Sequence, residues 1–201
     1  MDILVDPILS KIELDEVVTI HMNTFEGFFL TFLGKGFLRQ VYKGFIGHEN
    51  SGLIVAKNNN SIVGVLAYSE NLSEFYKFLI RKKILYFAWY SLGAVIRKPS
   101  TFFRLIRAFL KPSETKRIDK YVELSSIGVS PEAKGKNIGS CMIDKLKELF
   151  NSDEFQYINL ETDAINNDSV NAFYIKNGFV LTRTYETPEG RLMNEYRWAK
   201  E

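Results

Sequence analysis

Cysteine and histidine are almost missing from this chain: Cys141 stands alone, and His21 and His48 are the only histidines in 201 residues. A single cysteine excludes an intramolecular disulfide framework and suits a reducing compartment. With neither histidine near it in sequence, Cys141 reads as a small buried residue at a helix start, not as a nucleophile. No His/Cys cluster has metal-ligand spacing, so no metal site is expected. The run between Lys83 and Arg97 is thirteen residues long, short of the roughly 20 that span a bilayer. The opening Met-Asp-Ile-Leu-Val-Asp-Pro has neither the basic region nor the long apolar region of an export signal, which predicts a cytoplasmic chain. The nucleotide signatures G-x-x-x-x-G-K-[ST] and G-x-G-x-x-G are also lacking. There is no internal repeat or low-complexity linker, and 46% apolar residues suffice for a core, so we expect one domain over 1–201.

What is present is unevenly spread. The net charge is only +2, yet residues 70–120 hold twelve Lys/Arg against four Asp/Glu, a local +8 that leaves the remainder at −6. The same stretch is strongly apolar and aromatic, with Phe75, Phe78, Leu79, Tyr86, Phe87, Trp89, Tyr90, Phe102, Phe103 and Phe109. It reads as a helical insertion. Two readings stay open for it: helices packed on the domain or on a second copy with their basic faces toward water or anionic substrate, or, through 77–110, peripheral contact with a membrane surface. Long apolar runs in place of a solvated basic face argue against nucleic acid.

The remaining elements follow from periodicity and turn chemistry. Leu14, Val17, Val18 and Met22 have helical spacing, with Asp15 and Glu16 at the positive end. Phe28–Ile46 continues as a second helix or two short ones. Gly52–Lys57 and Ser61–Ser69 are β-rich and joined by Asn58-Asn59-Asn60, which predicts a hairpin. Gln156–Thr162 reads as a strand, and Asn167-Asp168-Ser169 opens a helix that Asn177-Gly178 closes. Phe179–Thr184 and Leu192–Trp198 form a second pair of strands joined through Pro188-Glu189-Gly190.

The chemistry concentrates between Glu123 and Phe150. This stretch reads as a strand, a turn opened by Pro131, a loop punctuated by Gly135 and Gly139, and a helix carrying Met142, Ile143, Leu146 and Leu149. The amides of that loop crowd a helix N-terminus, which favours a phosphate. Geometry alone leaves a plain strand-to-helix turn equally open.

Two segments carry a family resemblance. Val129-Ser130-Pro131 through Lys134-x-x-Asn137-x-Gly139 resembles the pyrophosphate loop of the GNAT acetyltransferases, [QR]-x-x-G-x-[GA]. Asn167-x-x-Val170-x-x-x-Tyr174-x-x-x-Gly178-Phe179 is similar to that family's N-x-x-A-x-x-x-Y-x-x-x-G-F at identical spacing. The departures are Lys134 for Arg/Gln, Asn137 for glycine, and Val170 for alanine; Lys134 keeps a cation, and asparagine tolerates left-handed backbone. The resemblance implies an α/β (α+β) fold, a mixed, mostly antiparallel sheet of six to seven strands flanked by helices, with the insertion between the third and fourth strands. It also implies acetyl-CoA as the donor and no metal. Ile127, Gly128 and Val129 would pair with pantetheine, Gly128 allowing close approach. Lys134, Gly135, Lys136, Asn137, Ile138, Gly139 and Ser140 would hold the pyrophosphate, and Asn167 the pantetheine arm. Tyr174 matches the tyrosine that protonates the departing thiolate, and Glu123 stands where histone-acetylating members carry a base.

The acceptor is less legible. Phe25–Leu38 resembles acetyltransferases of bacterial surface-polysaccharide clusters, which suggests a small acceptor such as an amino sugar on a nucleotide or lipid carrier, met at the inner face of the membrane. Glu26, Phe28 and Phe29 are the substrate candidates. A protein or peptide amine, and a non-catalytic acyl-CoA-binding or membrane-surface module, are the alternatives.

Overall fold

In the computed structural model, which describes residues 1–97, 119–188 and 190–200, seven strands form one sheet in the order β1-β2-β3-β4-β5-β7-β6. The strands are β1 (Asp2–Val5), β2 (Ser51–Asn58), β3 (Ser61–Ser69), β4 (Tyr121–Val129), β5 (Tyr157–Asp163), β6 (Val180–Glu186) and β7 (Leu192–Trp198). Every neighbouring pair is antiparallel except β4 and β5. The expected mixed sheet is therefore observed, with β1 as an element the sequence reading did not identify. Its four residues pair with β2 from Asp2↔Lys57 to Val5↔Ile54. Asp6, at a φ of +45°, then accepts 2.7 Å hydrogen bonds from the Leu53 amide and the Tyr68 hydroxyl.

Local chemistry explains most of the other elements. Asn59 and Asn60 adopt φ values of +48° and +67°, the left-handed pair that a tight hairpin between β2 and β3 requires. Helix α1 (Lys11–Thr24) begins with a reciprocal capping box: the Glu13 amide donates to the Ser10 hydroxyl, and the Ser10 amide to the Glu13 carboxylate. Such a cap stabilises a helix by about 1 kcal/mol. The glycines after Phe25 split the next helical run into α2 (Phe29–Leu33) and α3 (Lys35–Gly47). The 70–120 stretch begins as α4 (Leu72–Arg97), a helix of 26 residues; the expected helices around Phe102 and Phe109 lie outside the described residues. Among the described residues no helix is long and apolar enough to cross a membrane. The second half of the chain adds α5 (Ile138–Leu149), after a 3-10 turn over Pro131–Ala133, and α6 (Asp168–Lys176).

Strand alternation gives each face of the sheet its own core. Leu53 and Val55 of β2 face α1, α3 and α4, where they meet Val17, Phe37, Tyr42, Phe75 and Leu79. Ile54 and Ala56 face the opposite side with Met142, Ile143 and Leu146 of α5, and Tyr174, Phe179 and Tyr196 continue that layer. The two cores hold β4 between them. Val122 and Leu124 belong to the second core, whereas Glu123 and Gly128 serve the first face.

Candidate active site

Parallel pairing between β4 and β5 lasts for three residue pairs, Tyr121↔Tyr157, Val122↔Ile158 and Glu123↔Asn159. Both strands continue, to Val129 and Asp163, but no longer as partners. The cause is visible on the other side of β4. There Ala67 pairs with Ser126 and Tyr68 with Leu124, so Ser125 is an extra residue, and a bulge of this kind bends and twists its strand. Beyond Glu123, then, β4 turns toward β5 an edge of backbone amides and carbonyls that need partners. Ile127 and Val129 are partly buried along this edge.

Gly128 is buried for a reason other than the one expected. A Cβ there would meet Thr24 Oγ1 at 2.9 Å and Ile20 Cγ2 at 3.2 Å. The residue lets α1 lie close on β4, which corrects the expectation that its missing side chain makes room for a ligand. Among the described residues, Thr24 Oγ1 is itself buried without a hydrogen-bond partner.

At the far end of β4 the chain turns into α5. Gly135 takes a φ of +78° with open space where a Cβ would be, and Asn137 a φ of +60° and ψ of 15°. Asparagine thus supplies the left-handed step for which glycine would otherwise serve. Its side chain makes no capping bond, and the Cys141 amide, not an earlier one, reaches the Asn137 carbonyl at 3.1 Å. The amides of Ile138, Gly139 and Ser140 therefore open α5 at its positive end. Ile138 is buried and anchors the turn, while Lys134, Lys136 and Asn137 are exposed around it. Gly139 has a packing role as well, since a Cβ there would stand 3.0 Å from the Phe173 ring.

Tyr174 lies on α6 in the second core, 7% exposed, with the rings of Phe173, Tyr196 and Phe179 at 5.4, 6.0 and 6.0 Å. Burial holds its phenol well above the ordinary range, so it stays protonated near neutral pH. Asn167 does not cap α6. Its amide donates to Thr162 Oγ1 at 2.8 Å and to the Asp163 carbonyl at 3.0 Å, tying the start of α6 to β5. Asn171 extends the tie: its Oδ1 accepts from Asn194 at 3.0 Å and from the Tyr196 hydroxyl at 2.9 Å.

On the face toward α1 and α4, polar groups gather where β4 and β5 part. Asn159, fully buried, donates to Glu123 Oε2 at 2.9 Å. Burial raises the Tyr76 phenol of α4 to about 12, and the charges of Glu123 and Glu161 add to the effect. Glu161 also accepts a hydrogen bond from Tyr185, whose phenol is raised by burial first and by that carboxylate second. Farther along, Arg183 and Arg197 hold the buried Glu195 at 2.6 and 2.8 Å. Asn159, Glu161, Tyr76 and Tyr185 were missed from sequence, although Asn159 and Glu161 alternate with Ile158 and Leu160, which marks one polar face of β5. A second polar line runs inside the first core: His21 Nδ1 lies 2.9 Å from the Tyr42 hydroxyl, which also bonds Ser126 of the bulge. Burial lowers the His21 imidazole to about 4, which leaves it neutral.

The three substrate candidates are only partly gathered. Phe28 packs edge-on to Phe25 at 5.6 Å and lies under the Arg191 guanidinium at 5.4 Å. Arg191 grips Asp163, at the end of β5, through 2.8 Å bonds to both carboxylate oxygens. Glu26 is exposed in the turn after α1, and the Phe29 side chain lies outside the described residues. Among the described residues no group of three His, Cys, Asp or Glu could hold a metal.

Residues 15–179 match the model of the acetyltransferase (GNAT) family. The chain belongs to the GNAT acetyltransferase family. No curated protein matches its sequence. Among solved structures, a protein of Desulfovibrio desulfuricans described as a GNAT-family acetyltransferase superposes with a TM-score of 0.64 at 11% identity, over 98% of this chain and 99% of the other. The ribosomal-protein-S18-alanine N-acetyltransferase of Escherichia coli gives 0.56 at 12% identity, over 98% and 94%. A Bacillus anthracis protein described as a streptothricin acetyltransferase, solved with acetyl coenzyme A, gives 0.52 at 16% identity, over 80% and 68%. The chain shares their GNAT fold. The family uses acetyl-CoA, and the residues here suit it: an uncapped helix start for a diphosphate, and an unpaired strand edge for an amide-bearing arm.

Proposed function

We propose that the protein transfers an acetyl group from acetyl-CoA to the primary amine of a small acceptor, by direct attack in a ternary complex. The observation that carries this reading is the parting of β4 from β5 directly after the Glu123–Asn159 pair, which leaves the β5-facing edge of β4 for an amide-bearing ligand. When bound, acetyl-CoA supplies an activated thioester carbonyl. The amides of Ile138, Gly139 and Ser140 hold the diphosphate, with Lys134 and Lys136 as flanking cations and Gly135 and Asn137 shaping the turn. Ile127, Gly128 and Val129 offer the strand edge to the pantetheine amides. Asn167 has both amide donations committed to β5, so its Oδ1 accepts from the arm. Glu123, directly or through water, takes the proton that an ammonium must lose. Tyr174 gives a proton to the departing thiolate.

The acid pair Glu123 and Glu161 beside Tyr76 supports a cationic amine as acceptor. Helix α4 carries Tyr76, and about one and a half turns later it exposes Arg81 and Lys82 beside Lys83, a basic run suited to phosphate. An amino sugar on a nucleotide or lipid carrier combines both chemistries. A peptide amine is the second reading, favoured by the same acid pair and disfavoured by the basic run.

The test is release of free thiol from acetyl-CoA with a panel of phosphate-linked amino sugars, free amino sugars, amino acids and peptides. Turnover with the phosphate-linked amino sugars above the free ones is expected. Equal or better turnover with peptides would overturn the acceptor assignment, and acetyl-CoA binding with no turnover on any amine would overturn the enzyme reading itself.

A further inference from the structure

Helix α4 departs from what a surface helix of a water-soluble protein should be. A helix that is apolar all round is normally buried, and α4 is buried only in part. Phe75, Leu79 and Phe87 enter the first core, and Phe87 lies 4.5 Å from Phe37. On the outward side Leu85 is 81% exposed, Trp89 73% and Ile96 71%, with Ile84 and Tyr86 flanking them at 54% and 52%. Positions 81, 85 and 89 are successive i, i+4 steps, and 96 returns to the same line after two turns. Leu85, Trp89 and Ile96 thus form one stripe, headed by the exposed Arg81 and Lys82. Lys83 reaches over the Tyr86 ring at 5.7 Å. The helix runs about 39 Å, and by sequence it leads into Arg97-Lys98 and the basic remainder of the 70–120 stretch.

We propose that the outward stripe of α4 is an interfacial anchor that seats the protein on an anionic lipid surface, the helix lying in the plane of the headgroups. Leu85, Trp89 and Ile96 enter the acyl boundary. Tyr86 and Trp89 have the apolar body and polar edge that suit the interface. Arg81, Lys82 and Lys83 meet lipid phosphates. A second copy of the chain is the weaker occupant. In a parallel helix pair the Arg81-Lys82-Lys83 segments would face one another, so like charges meet. The acceptor assignment draws on the same Arg81, Lys82 and Lys83, but the apolar stripe of Leu85, Trp89 and Ile96 serves the lipid surface alone, so substitutions in the stripe separate the two readings.

The experiment is flotation of the full chain with vesicles of phosphatidylcholine, with and without phosphatidylglycerol, at low and raised salt. Trp89 emission is the second readout; the other tryptophan, Trp198, is packed against Phe150. Binding to the anionic vesicles, a blue shift that Trp89→Phe removes, and release by salt are expected. Neutralising Arg81, Lys82 and Lys83 together should weaken binding by about a hundredfold, at roughly fivefold per charge. Leu85→Ser with Trp89→Ser should abolish it while leaving thiol release with a soluble acceptor unchanged. No flotation with anionic vesicles at low salt would overturn the proposal. So would flotation that survives the Leu85/Trp89 double substitution, or a dimer in solution that the same substitution dissolves.

Discussion

Replacing Tyr174 by phenylalanine removes one oxygen from a packed aromatic layer. The ring contacts with Phe173, Phe179 and Tyr196 persist, and among the described residues the hydroxyl makes no hydrogen bond that the change would break. Folding stability should therefore move by less than about 1 kcal/mol. Activity should not be spared. A positioned general acid contributes about 10²–10⁴ in rate, or roughly 3–5 kcal/mol of transition-state stabilisation at about 1.4 kcal/mol per tenfold. The loss should fall on kcat, because the acid acts on the leaving thiolate and not on the bound ground state. Since burial keeps the phenol protonated far above neutrality, the wild-type rate should show no alkaline fall from this group between pH 6 and about pH 10. The assay is steady-state thiol release with urea melts of both proteins. A Tyr174→Phe enzyme that melts like wild type and retains its kcat would refute the assignment.

Glu123→Gln keeps an acceptor for the Asn159 amide, which now donates at 2.9 Å, but loses the base. The rate should fall about 10–100-fold near neutral pH, and the deficit should shrink as the pH rises past the acceptor's own pKa; a deficit that is constant with pH would point to packing. Gly128→Ala places a methyl 2.9 Å from Thr24 Oγ1, so urea melts should show about 1–3 kcal/mol of destabilisation, with KM for acetyl-CoA raised as β4 shifts. The Glu13 carboxylate is held down to about 2, first by its hydrogen bond from Lys57 and then by the Ser10 amide. A depressed folded-state pKa contributes stability that is complete above the ordinary carboxylate pKa of about 4.3 and is lost as pH falls toward 2. Glu13→Gln should accordingly flatten that acid limb in thermal melts between pH 5 and 2 and lower stability near pH 7; an unchanged acid limb would contradict the assignment.

Legibility from sequence divides along the distance over which the causes act. The Asn59-Asn60 hairpin, the left-handed Asn137 and the Gly178 helix stop at a φ of +76° were readable because each is settled by the residue at that spot. Strand β1 was not, since four residues become a strand only because β2 offers an edge. Gly128 carried an ambiguous sign: a glycine beside a cofactor edge and a glycine beneath α1 look alike until Ile20 and Thr24 are known to face it. The acid cluster was half visible. Asn159 and Glu161 betray a polar face on β5, but Tyr76 and Tyr185 come from elements distant in the chain and join only through the fold. Glu123 and Tyr174 were singled out by the family resemblance, and the roles given to them belong to the proposed function.

The three pairs that join β4 to β5 also divide the sheet mechanically. On one side β1 to β4 form a continuous antiparallel block, and on the other β5, β7 and β6 form a second; between them the seam is one-third of the length of β4. The sheet is thus two plates riveted at one corner, and whatever occupies the gap serves as a removable eighth strand. Ligand binding should then register as cohesion between the plates. The amides of Leu124–Val129 that point into the gap, alternating with those that face β3, should exchange slowly only when the gap is filled, and the melting temperature should climb with ligand concentration. An enzyme built this way reports its own saturation through its rigidity.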